Sequence, residues 1–454
     1  MEPVDHKDFE DSHDETPSQI EVSQDVFWTE EEEKRLVRKI NLFLLPNIWI
    51  MYLLSYMDRT NIGNAKIAGM ADDLQLTSSQ YMGYVVFEPP SNMILVRTRP
   101  SLYLPAIMAI WGVLTCIMSE VKHYHHLIVL RVFVGIMESG FAPGVILIIS
   151  AWYRRNEQSK RFAVFMSAAI LSGAFGSLLA GAITGGLEGA HGIRGWRWLF
   201  IVEGAVTAGW AIIAKFLLLD FPATSSRLSE RERAIAVARL QQDLVTVRGD
   251  GEKVGHMKSL WLAFRDWRTW GFIFGYMVIV GSSTLSYFYP TLVRGLGYTD
   301  TVQAQYMTVP IWAVAFVCTA ITSLFADKLA NHRGLIIAGW LAFSTATSII
   351  VCAVYNFTAR YVLLVLMAAG LWASNAVSLS FASSAMGSMD AEVRAVALAL
   401  VNAFGNLAQI YGAYLFPEDD APKYLMGFGV ISGMSGFGVC VYAAMHVLVR
   451  RIKD

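Results

Sequence analysis

Long apolar runs alternate with short polar stretches along the chain from residue 40 onwards. Most of these runs are close to the length of about 20 residues that a helix needs to cross a bilayer. The pattern predicts an all-α integral membrane protein with twelve transmembrane helices. We number them spans 1 to 12 and place them at residues 40–62, 80–97, 101–119, 127–150, 162–187, 197–219, 269–291, 304–326, 334–355, 360–384, 394–416 and 424–449.

The longest polar break within the spanning region, residues 220–267, divides the spans six and six. The run Ser229-Glu-Arg-Glu-Arg-Ala inside it is typical of a charged amphipathic helix rather than a span. We therefore predict four parts: a disordered acidic cytoplasmic tail (1–37), a first six-helix half (38–219), a cytoplasmic linker (220–267), and a second six-helix half with a short tail (268–454).

The composition agrees with a membrane protein and argues against a soluble enzyme. Hydrophobic residues make up 55% of the chain and charged residues only 16%, and the mean hydropathy is +0.44. Lys and Arg (36) nearly balance Asp and Glu (37), so no basic excess points to nucleic acid. The four cysteines lie in apolar runs without metal-ligand spacing, and we predict neither a metal nor a cofactor.

Basic residues set the orientation of a membrane protein, because cytoplasmic loops carry an excess of Lys and Arg. With the N-terminus inside, 26 of the 36 basic residues fall on the cytoplasmic side, 8 fall outside and 2 lie within spans. Both termini are therefore predicted to be cytoplasmic. We expect a monomer that crosses the lipid bilayer of the plasma membrane.

Ionisable residues within spans are costly unless they are paired or hydrated, so each is a functional candidate. Glu138 lies about 17 Å along span 4, near mid-membrane, where a carboxyl suits proton coupling; a neutral, hydrogen-bonded acid is the alternative. Glu88 lies beside two prolines in span 2, and its functional and structural interpretations are equally open. Glu203, two turns into span 6, is expected to fasten helices, with a functional role as the alternative.

Asp58 and Arg59 are consecutive in span 1, so on a helix their side chains diverge by about 100° and need not neutralise each other. Asp58 is a further candidate proton site. Arg59 suits an anion, because its planar fork binds a carboxylate through two hydrogen bonds. The alternative is that both residues cap the outer end of span 1; the weakly apolar stretch 62–70 argues against it by letting the helix continue.

The second half offers amide and aromatic side chains instead of membrane carboxylates. Asn402 and Asn406 share one face of span 11, since they are four residues apart. With Trp372 and Asn375 of span 10 and Tyr287 of span 7, they are candidate substrate ligands. Hydrogen bonding between packed spans is the alternative for each of them.

Several motifs resemble one family. Span 1 closes with the run from Tyr56 to Ala65 (YMDRTNIGNA), span 4 holds RVFVGIMESGFAPG from Arg131, and span 6 opens with GWRWLFIVEG from Gly195. Together with FEPPSN from Phe87 and WYRR from Trp152, these runs resemble the anion:cation symporter branch of the major facilitator superfamily, and within it the fungal allantoate and nicotinate permease-like group.

The resemblance implies a fold of two six-helix halves that rock about a site near the bilayer midplane. It also implies transport of a small organic anion together with protons. Asp58 and Glu138 match proton-binding acids of the branch, and Arg59 matches an arginine that serves the anionic substrate. Between spans 8 and 9, Asp327 and Arg333 resemble the family's gating loop, in which an acid and a base pair across the cytoplasmic face.

One feature departs from the family. The apolar part of span 2, residues 81–96, holds 16 residues, which as a helix cover about 24 Å of a hydrocarbon core of about 30 Å. Either neighbouring residues are drawn into the membrane, or the span is defective; a misplaced exon boundary would also explain its length.

The sequence thus favours a proton-coupled symporter of a small organic anion. A substrate-sensing receptor or inactive relative is one alternative, favoured by the short span 2, and an exporter of a secondary metabolite is another. An enzyme is disfavoured, because the sequence offers no nucleophile, base or metal cluster at membrane depth.

Overall fold

Helices account for all regular secondary structure in the part of the chain that the computed structural model describes, residues 27–74, 100–139, 141–222, 225–247, 256–412 and 414–453. The first half contains α1 (Glu30–Ala65), α2 (Pro100–Met118), α3 (Tyr124–Ser139), α4 (Phe141–Trp152), α5 (Arg155–Gly186) and α6 (Gly195–Leu217). The linker contains α7 (Glu230–Val247) and α8 (His256–Arg265). The second half contains α9 (Trp267–Ser283), α10 (Tyr289–Gly295), α11 (Thr301–Tyr306), α12 (Val309–Lys328), α13 (Arg333–Ala353), α14 (Phe357–Ala385), α15 (Ala391–Gly412) and α16 (Leu425–Lys453).

Eight helical stretches in these ranges are long and apolar enough to cross a membrane, and α2 and α15 contain shorter apolar stretches. Span 4 corresponds to α3 and α4, on either side of residue 140. Eleven of the twelve predicted spans therefore have helical counterparts. Span 2, with Glu88, lies outside the described residues.

Helix α1 begins at Glu30, eight residues before residue 38, where the sequence places the start of the first half. Thr29 accounts for this start, because its hydroxyl accepts from the amide of Glu32 while the Glu32 carboxylate accepts from the amide of Thr29. Four glutamates, residues 30–33, occupy the first turn, where they complement the helix dipole.

The linker helix α7 is fastened to the first half by ion pairs. The buried guanidinium of Arg239 lies 3.1 Å from Glu33 of α1 and 2.6 Å from Glu157 of α5. Arg154 also pairs with Glu33, at 2.9 Å. The same acidic run that begins α1 therefore anchors the linker.

Two predicted spans of the second half are interrupted. Span 7 was predicted as one helix, but α9 gives way to a 3-10 segment, Thr284–Phe288, before α10 begins. Span 8 consists of α11 and α12, which are separated at residues 307–308. A proline lies in the first turn of both α10 and α12, where its missing amide hydrogen costs no helical hydrogen bond.

Helices α2 and α6 approach until their backbones touch. A Cβ atom on Gly204 of α6 would lie 2.6 Å from the backbone nitrogen of Cys116, and one on Gly112 of α2 would lie 2.7 Å from the nitrogen of Ala208. Such contacts require glycine, as in other close membrane helix pairs. On the same helix, Gly209 has nothing within 4 Å of the equivalent position.

We expect Gly204→Ala to lower the free energy of unfolding by about 1–3 kcal/mol, because the added methyl group must push two backbones apart. Gly209→Ala is the matched control and should be neutral or slightly stabilising, since alanine is the better helix former. Thermal unfolding of the purified protein in detergent compares the two variants. Equal midpoints for both would refute the close contact.

Candidate functional site

One face of α1 carries the two side chains, Ser55 and Arg59, that contact Glu138. Tyr52, Ser55, Tyr56 and Arg59 follow at spacings of three and four residues, so they share a face. Arg59 Nε lies 2.9 Å from Glu138 Oε1, and the Ser55 hydroxyl donates to the same oxygen. The Glu138 side chain is 4% exposed and that of Arg59 is 25% exposed, so the pair is shielded from bulk water.

Ser55 is a site residue that the sequence interpretation missed. A serine in an apolar helix carries no charge to draw attention to it. Its position four residues before Arg59 was the available signal, because it places the hydroxyl and the guanidinium on one face.

Asp58 is 1% exposed and forms no hydrogen bond with this pair. Among the described residues, neither of its carboxylate oxygens has a hydrogen-bond partner. The guanidinium of Arg131, the carboxyl of Glu138 and the indole of Trp111 lie near it. Nη1 of Arg131 donates instead to the backbone carbonyl of Asp58, over 3.0 Å.

The structure disfavours the interpretation of Asp58 and Arg59 as a surface cap of span 1. Helix α1 continues to Ala65 and then into a π-helical segment, Lys66–Met70, all of whose residues are buried. Within this segment the helical backbone angles are interrupted at Gly69, whose φ of 104° suits glycine. The charged pair therefore lies more than a turn inside the end of the helix.

Glu203 of α6 belongs to the same buried region. We expected it to fasten helices, but neither of its carboxylate oxygens has a hydrogen-bond partner in the described part of the chain. It is 2% exposed, and Asp58 and Arg131 act on it electrostatically. The fastening role is therefore not supported.

Aromatic rings surround the charged groups. The guanidinium of Arg59 lies 5.0 Å from the ring centre of Tyr56, and Tyr52 stacks on Phe165 with ring centres 3.9 Å apart. Tyr276 of the second half is buried and lies near Tyr52 and Tyr56. The charged site therefore borders the interface between the halves.

The candidate residues of the second half are placed less decisively. Trp372 is half-buried, with its ring 5.5 Å from that of Trp312, and Asn375 is half-buried on the same helix. Asn406 accepts a hydrogen bond over 3.3 Å from Gln409 of the same helix, so this bond is not one between packed spans, and Asn402 is exposed. Their role as substrate ligands stays a prediction.

Tyr287 has a structural position that the sequence did not indicate. It lies in the 3-10 break between α9 and α10, and its carbonyl oxygen would be 2.5 Å from a Cβ atom on Gly63 of α1. Only glycine allows this approach. Tyr287 thus lies at a contact between the two halves, and its role as a substrate ligand stays a prediction.

The predicted gating loop is seen in part. Arg333 donates to the backbone carbonyls of Ala326 and Ser380, over 3.3 and 3.4 Å. The side chain of Asp327 lies outside the described residues. The acid and base lock therefore stays a prediction.

The halves join at the end of the bundle that holds the C-terminus of α1, which the basic residues assign to the outside. Gln305 of α11 donates to the carbonyl of Asn64 over 3.3 Å and lies 3.0 Å from the hydroxyl of Thr184. Arg294 donates to the carbonyl of Ile67, also over 3.3 Å. These polar contacts close the outer end above the charged site, and the sequence interpretation missed them.

Two helical halves joined above a buried set of charges, with helices that break in mid-span, have the architecture of a secondary transporter. The chain belongs to the major facilitator superfamily, whose family model matches residues 48–413. The predicted fold class, an all-α membrane protein of twelve helices in the major facilitator fold, is confirmed. The protein is a multi-pass membrane transporter and not an enzyme.

Several curated relatives match over most of their length. The MFS transporter prlL of Fungal sp. (strain NRRL 50135) is 34% identical, covering 97% of this chain and 89% of the relative. The high-affinity nicotinic acid transporter of Saccharomyces cerevisiae is 27% identical over 93% and 79% of the two chains. The pantothenate transporter liz1 of Schizosaccharomyces pombe is 27% identical over 93% and 84%. These names agree with the predicted resemblance to fungal permeases.

Solved structures share the fold. A bacterial homologue of the human lysosomal transporter Spinster, inward-facing and unoccupied, superposes with a TM-score of 0.66 at 16% identity, over 93% of this chain and 98% of that one. A D-xylose-proton symporter gives a TM-score of 0.63 at 13% identity, over 90% and 97%. At these identities the likeness concerns the fold alone.

The ion pair at the centre of the site predicts a characteristic pattern of stability. Arg59→Met should destabilise the protein by about 3 kcal/mol, because it leaves Glu138 as a buried charge without its partner. The double variant Arg59→Met with Glu138→Gln should recover most of that loss, since no charge is then left unpaired. Thermal unfolding of the parent, both single variants and the double variant gives the coupling. Additive losses would show that the two residues do not interact.

Proposed function

We propose that this transporter is a proton-coupled symporter of a small organic anion in the plasma membrane, and that it works as a monomer. The observation that carries the proposal is the Arg59–Glu138 ion pair. Arg59 is a permanent cation, and Glu138 is the carboxylate that neutralises it in the substrate-free protein. An incoming carboxylate would compete with Glu138 for the same guanidinium.

A proton resolves this competition. When Glu138 is protonated it no longer needs Arg59, which becomes free to bind the carboxylate of the substrate through two hydrogen bonds. The number of charges at the site is then unchanged, because the substrate replaces one carboxylate that has been neutralised. Proton and anion thus favour each other's binding, and by linkage the effect is equal in both directions.

Coupling to a proton offsets the membrane potential, which opposes the entry of an anion. Moving one negative charge into a negative interior costs about 2.3 kcal/mol for each 100 mV. A proton that accompanies the anion cancels this cost, and a proton gradient then drives accumulation. The outer closure through Gln305, Thr184 and Asn64 supports the release step, in which the site opens toward the cytoplasm.

The substrate class is a small carboxylate. The site supports it through a guanidinium that a tyrosine ring flanks at 5.0 Å, with further aromatic rings nearby. A planar or short-chain anion can place its carboxylate on Arg59 and its apolar part against those rings. Nicotinic acid and pantothenate, named for two of the relatives, are both carboxylates.

Uptake of labelled carboxylates into cells that express the chain tests the proposal. Nicotinate and pantothenate serve as first probes, followed by other monocarboxylates. We expect accumulation that an acidic outer medium stimulates and that a proton uncoupler abolishes. Accumulation that the uncoupler leaves intact, or efflux as the only activity, would contradict proton-coupled import.

Glu138→Gln separates coupling from binding. Glutamine mimics the protonated acid and holds one charge state, so we expect exchange of labelled for unlabelled substrate to persist while accumulation along a pH gradient is lost. Arg59→Lys is the companion variant: a point charge replaces the planar fork, so it should impair affinity for the anion in both assays. Should Glu138→Gln concentrate substrate as steeply as the parent, Glu138 would not be the coupling residue.

A further inference from the structure

We propose that α8, the second helix of the linker, lies in the cytoplasmic interface of the membrane and binds anionic phospholipid through Lys258 and Arg265. The helix spans His256–Arg265 and ends two residues before Trp267, where α9 begins. The proposal concerns the lipid partner of the protein. It does not depend on which substrate is transported or on coupling to protons.

Helix α8 has one face that the protein covers and one that it leaves exposed. Ser259 and Ala263 lie one turn apart and are buried, and the helix packs on α15. On the opposite face, Met257 and Trp261 are also one turn apart, and they are 78% and 57% exposed. A helix that exposes large apolar side chains beside basic ones is typical of a membrane interface.

The two basic residues of α8 have no acid to neutralise them in the described part of the chain. The Arg265 guanidinium lies 5.0 Å from the ring centre of Trp261, and neither Arg265 nor Lys258 forms an ion pair there. The helix itself contains no Asp or Glu. Arg268, just beyond it, is by contrast paired with Asp266 at 2.8 Å. The exposed face of α8 therefore presents two positive charges that suit an anionic partner.

The first linker helix, α7, is attached in a different way. Those side chains of α7 that the structure describes as exposed are polar. Three of its charged residues pair with the first half: Arg231 with Glu32 at 2.8 Å, Glu232 with Lys39 at 2.8 Å, and Arg239 with Glu33 at 3.1 Å. Protein side chains thus neutralise α7, whereas the charges of α8 face outward from the protein.

The position of α8 along the bundle agrees with the headgroup region of the bilayer. It packs on α15 and leads into α9, and both of these helices belong to predicted spans. Arg268, in the first turn of α9, donates to the carbonyl of Ala385 at the C-terminal end of α14. The basic residues assign this end of the bundle to the cytoplasm, and the cytoplasmic leaflet carries the anionic lipids that attract Lys and Arg.

Aromatic rings connect α8 with the exposed side of α9. Three of the chain's 13 tryptophans, Trp261, Trp267 and Trp270, lie close together in sequence, and all three are exposed. The Trp270 ring lies 5.9 Å from that of Phe264 in α8 and 6.3 Å from that of Phe274, which is 51% exposed. Tryptophan favours the membrane–water interface, because its ring is apolar and its N–H group is polar. The same lipid surface therefore suits both helices.

The consequence is a linker whose two helices have different partners. Helix α7 is bound to the first half by ion pairs, and α8 is bound to the second half and to the leaflet. The part of the predicted cytoplasmic linker from residue 256 onwards is then interfacial. Anionic lipid at α8 would hold the cytoplasmic end of α9 at a fixed depth.

Photoreactive lipids test the proposal with the full-length protein in phosphatidylcholine vesicles. One probe is a phosphatidylserine with a photoreactive group in its acyl chain, and the other is the matching phosphatidylcholine. After illumination, proteolysis and mass spectrometry give the label on His256–Arg265 relative to the label on the remaining spans. We expect the phosphatidylserine probe to label α8 preferentially, and added salt to weaken that preference by screening the charges.

Lys258→Gln combined with Arg265→Gln removes both cations. Each basic residue near an anionic surface contributes a preference of about fivefold, so the preference for phosphatidylserine should fall by about 25-fold. Lys258→Arg combined with Arg265→Lys keeps both charges and should keep the preference.

Lys34→Gln combined with Arg231→Gln is the matched control. It removes the same charge from two exposed residues that already pair with Glu30 and Glu32. Because those charges are neutralised by protein, the label on α8 should be unchanged.

The outcomes that overturn the proposal are distinct. Equal labelling of α8 by both probes in the parent would show that the helix contacts lipid without preferring an anion. An equal loss of preference in the matched control would show that net charge, and not these two residues, attracts the lipid. No label from either probe would mean that protein covers this face, such as the acidic run that precedes α1. Should the variant without both cations fail to fold, a preference in the parent that salt leaves intact would contradict the proposal instead.

Discussion

The pairing of charges inside the bilayer is the constraint on which this structure depends. A guanidinium in the first half cannot give up its charge, so a carboxylate, a carbonyl or a substrate anion must always face it. Arg59 is satisfied by Glu138, and Arg131 by the Asp58 carbonyl. Both contacts join α1 to α3.

The same constraint connects architecture to transport. Under the proposed function, a site that must remain neutral would accept an anion together with a proton and release the two together. The outer contacts made by Gln305 and Arg294 are hydrogen bonds to backbone carbonyls of α1 and the segment after it, rather than ion pairs. Contacts of this kind separate at a modest cost, as rocking of the halves requires.

Much of the fold was predictable, because membrane helices have a strong signal in hydropathy and their backbones must satisfy their own hydrogen bonds. The candidate acids of span 1 and span 4 were also identifiable, since charge at membrane depth is rare. Partners were not. The sequence allowed Glu138 to pair with Arg59 or Arg131, and only the orientation of α1 against α3 selects Arg59.

Other features depend on contacts that no local pattern records. In the sequence, the residues around Glu30 are typical of a disordered acidic run. In the structure they begin α1, because Thr29 caps the helix and Glu33 pairs with Arg239. Glu203 looked like an interhelical fastener, because sequence alone does not show that its carboxylate lacks a hydrogen-bond donor. The 3-10 break after α9 was hidden by an unbroken apolar run.

The most direct test of the account is the proton uptake that accompanies anion binding by the purified protein in weakly buffered solution. A transported carboxylate is added to the substrate-free protein, and the change in pH is converted to protons per bound anion. The account predicts uptake of about one proton per anion by the parent and none by Glu138→Gln, because protonation of Glu138 is what frees Arg59. Binding without a change in pH by the parent would contradict it.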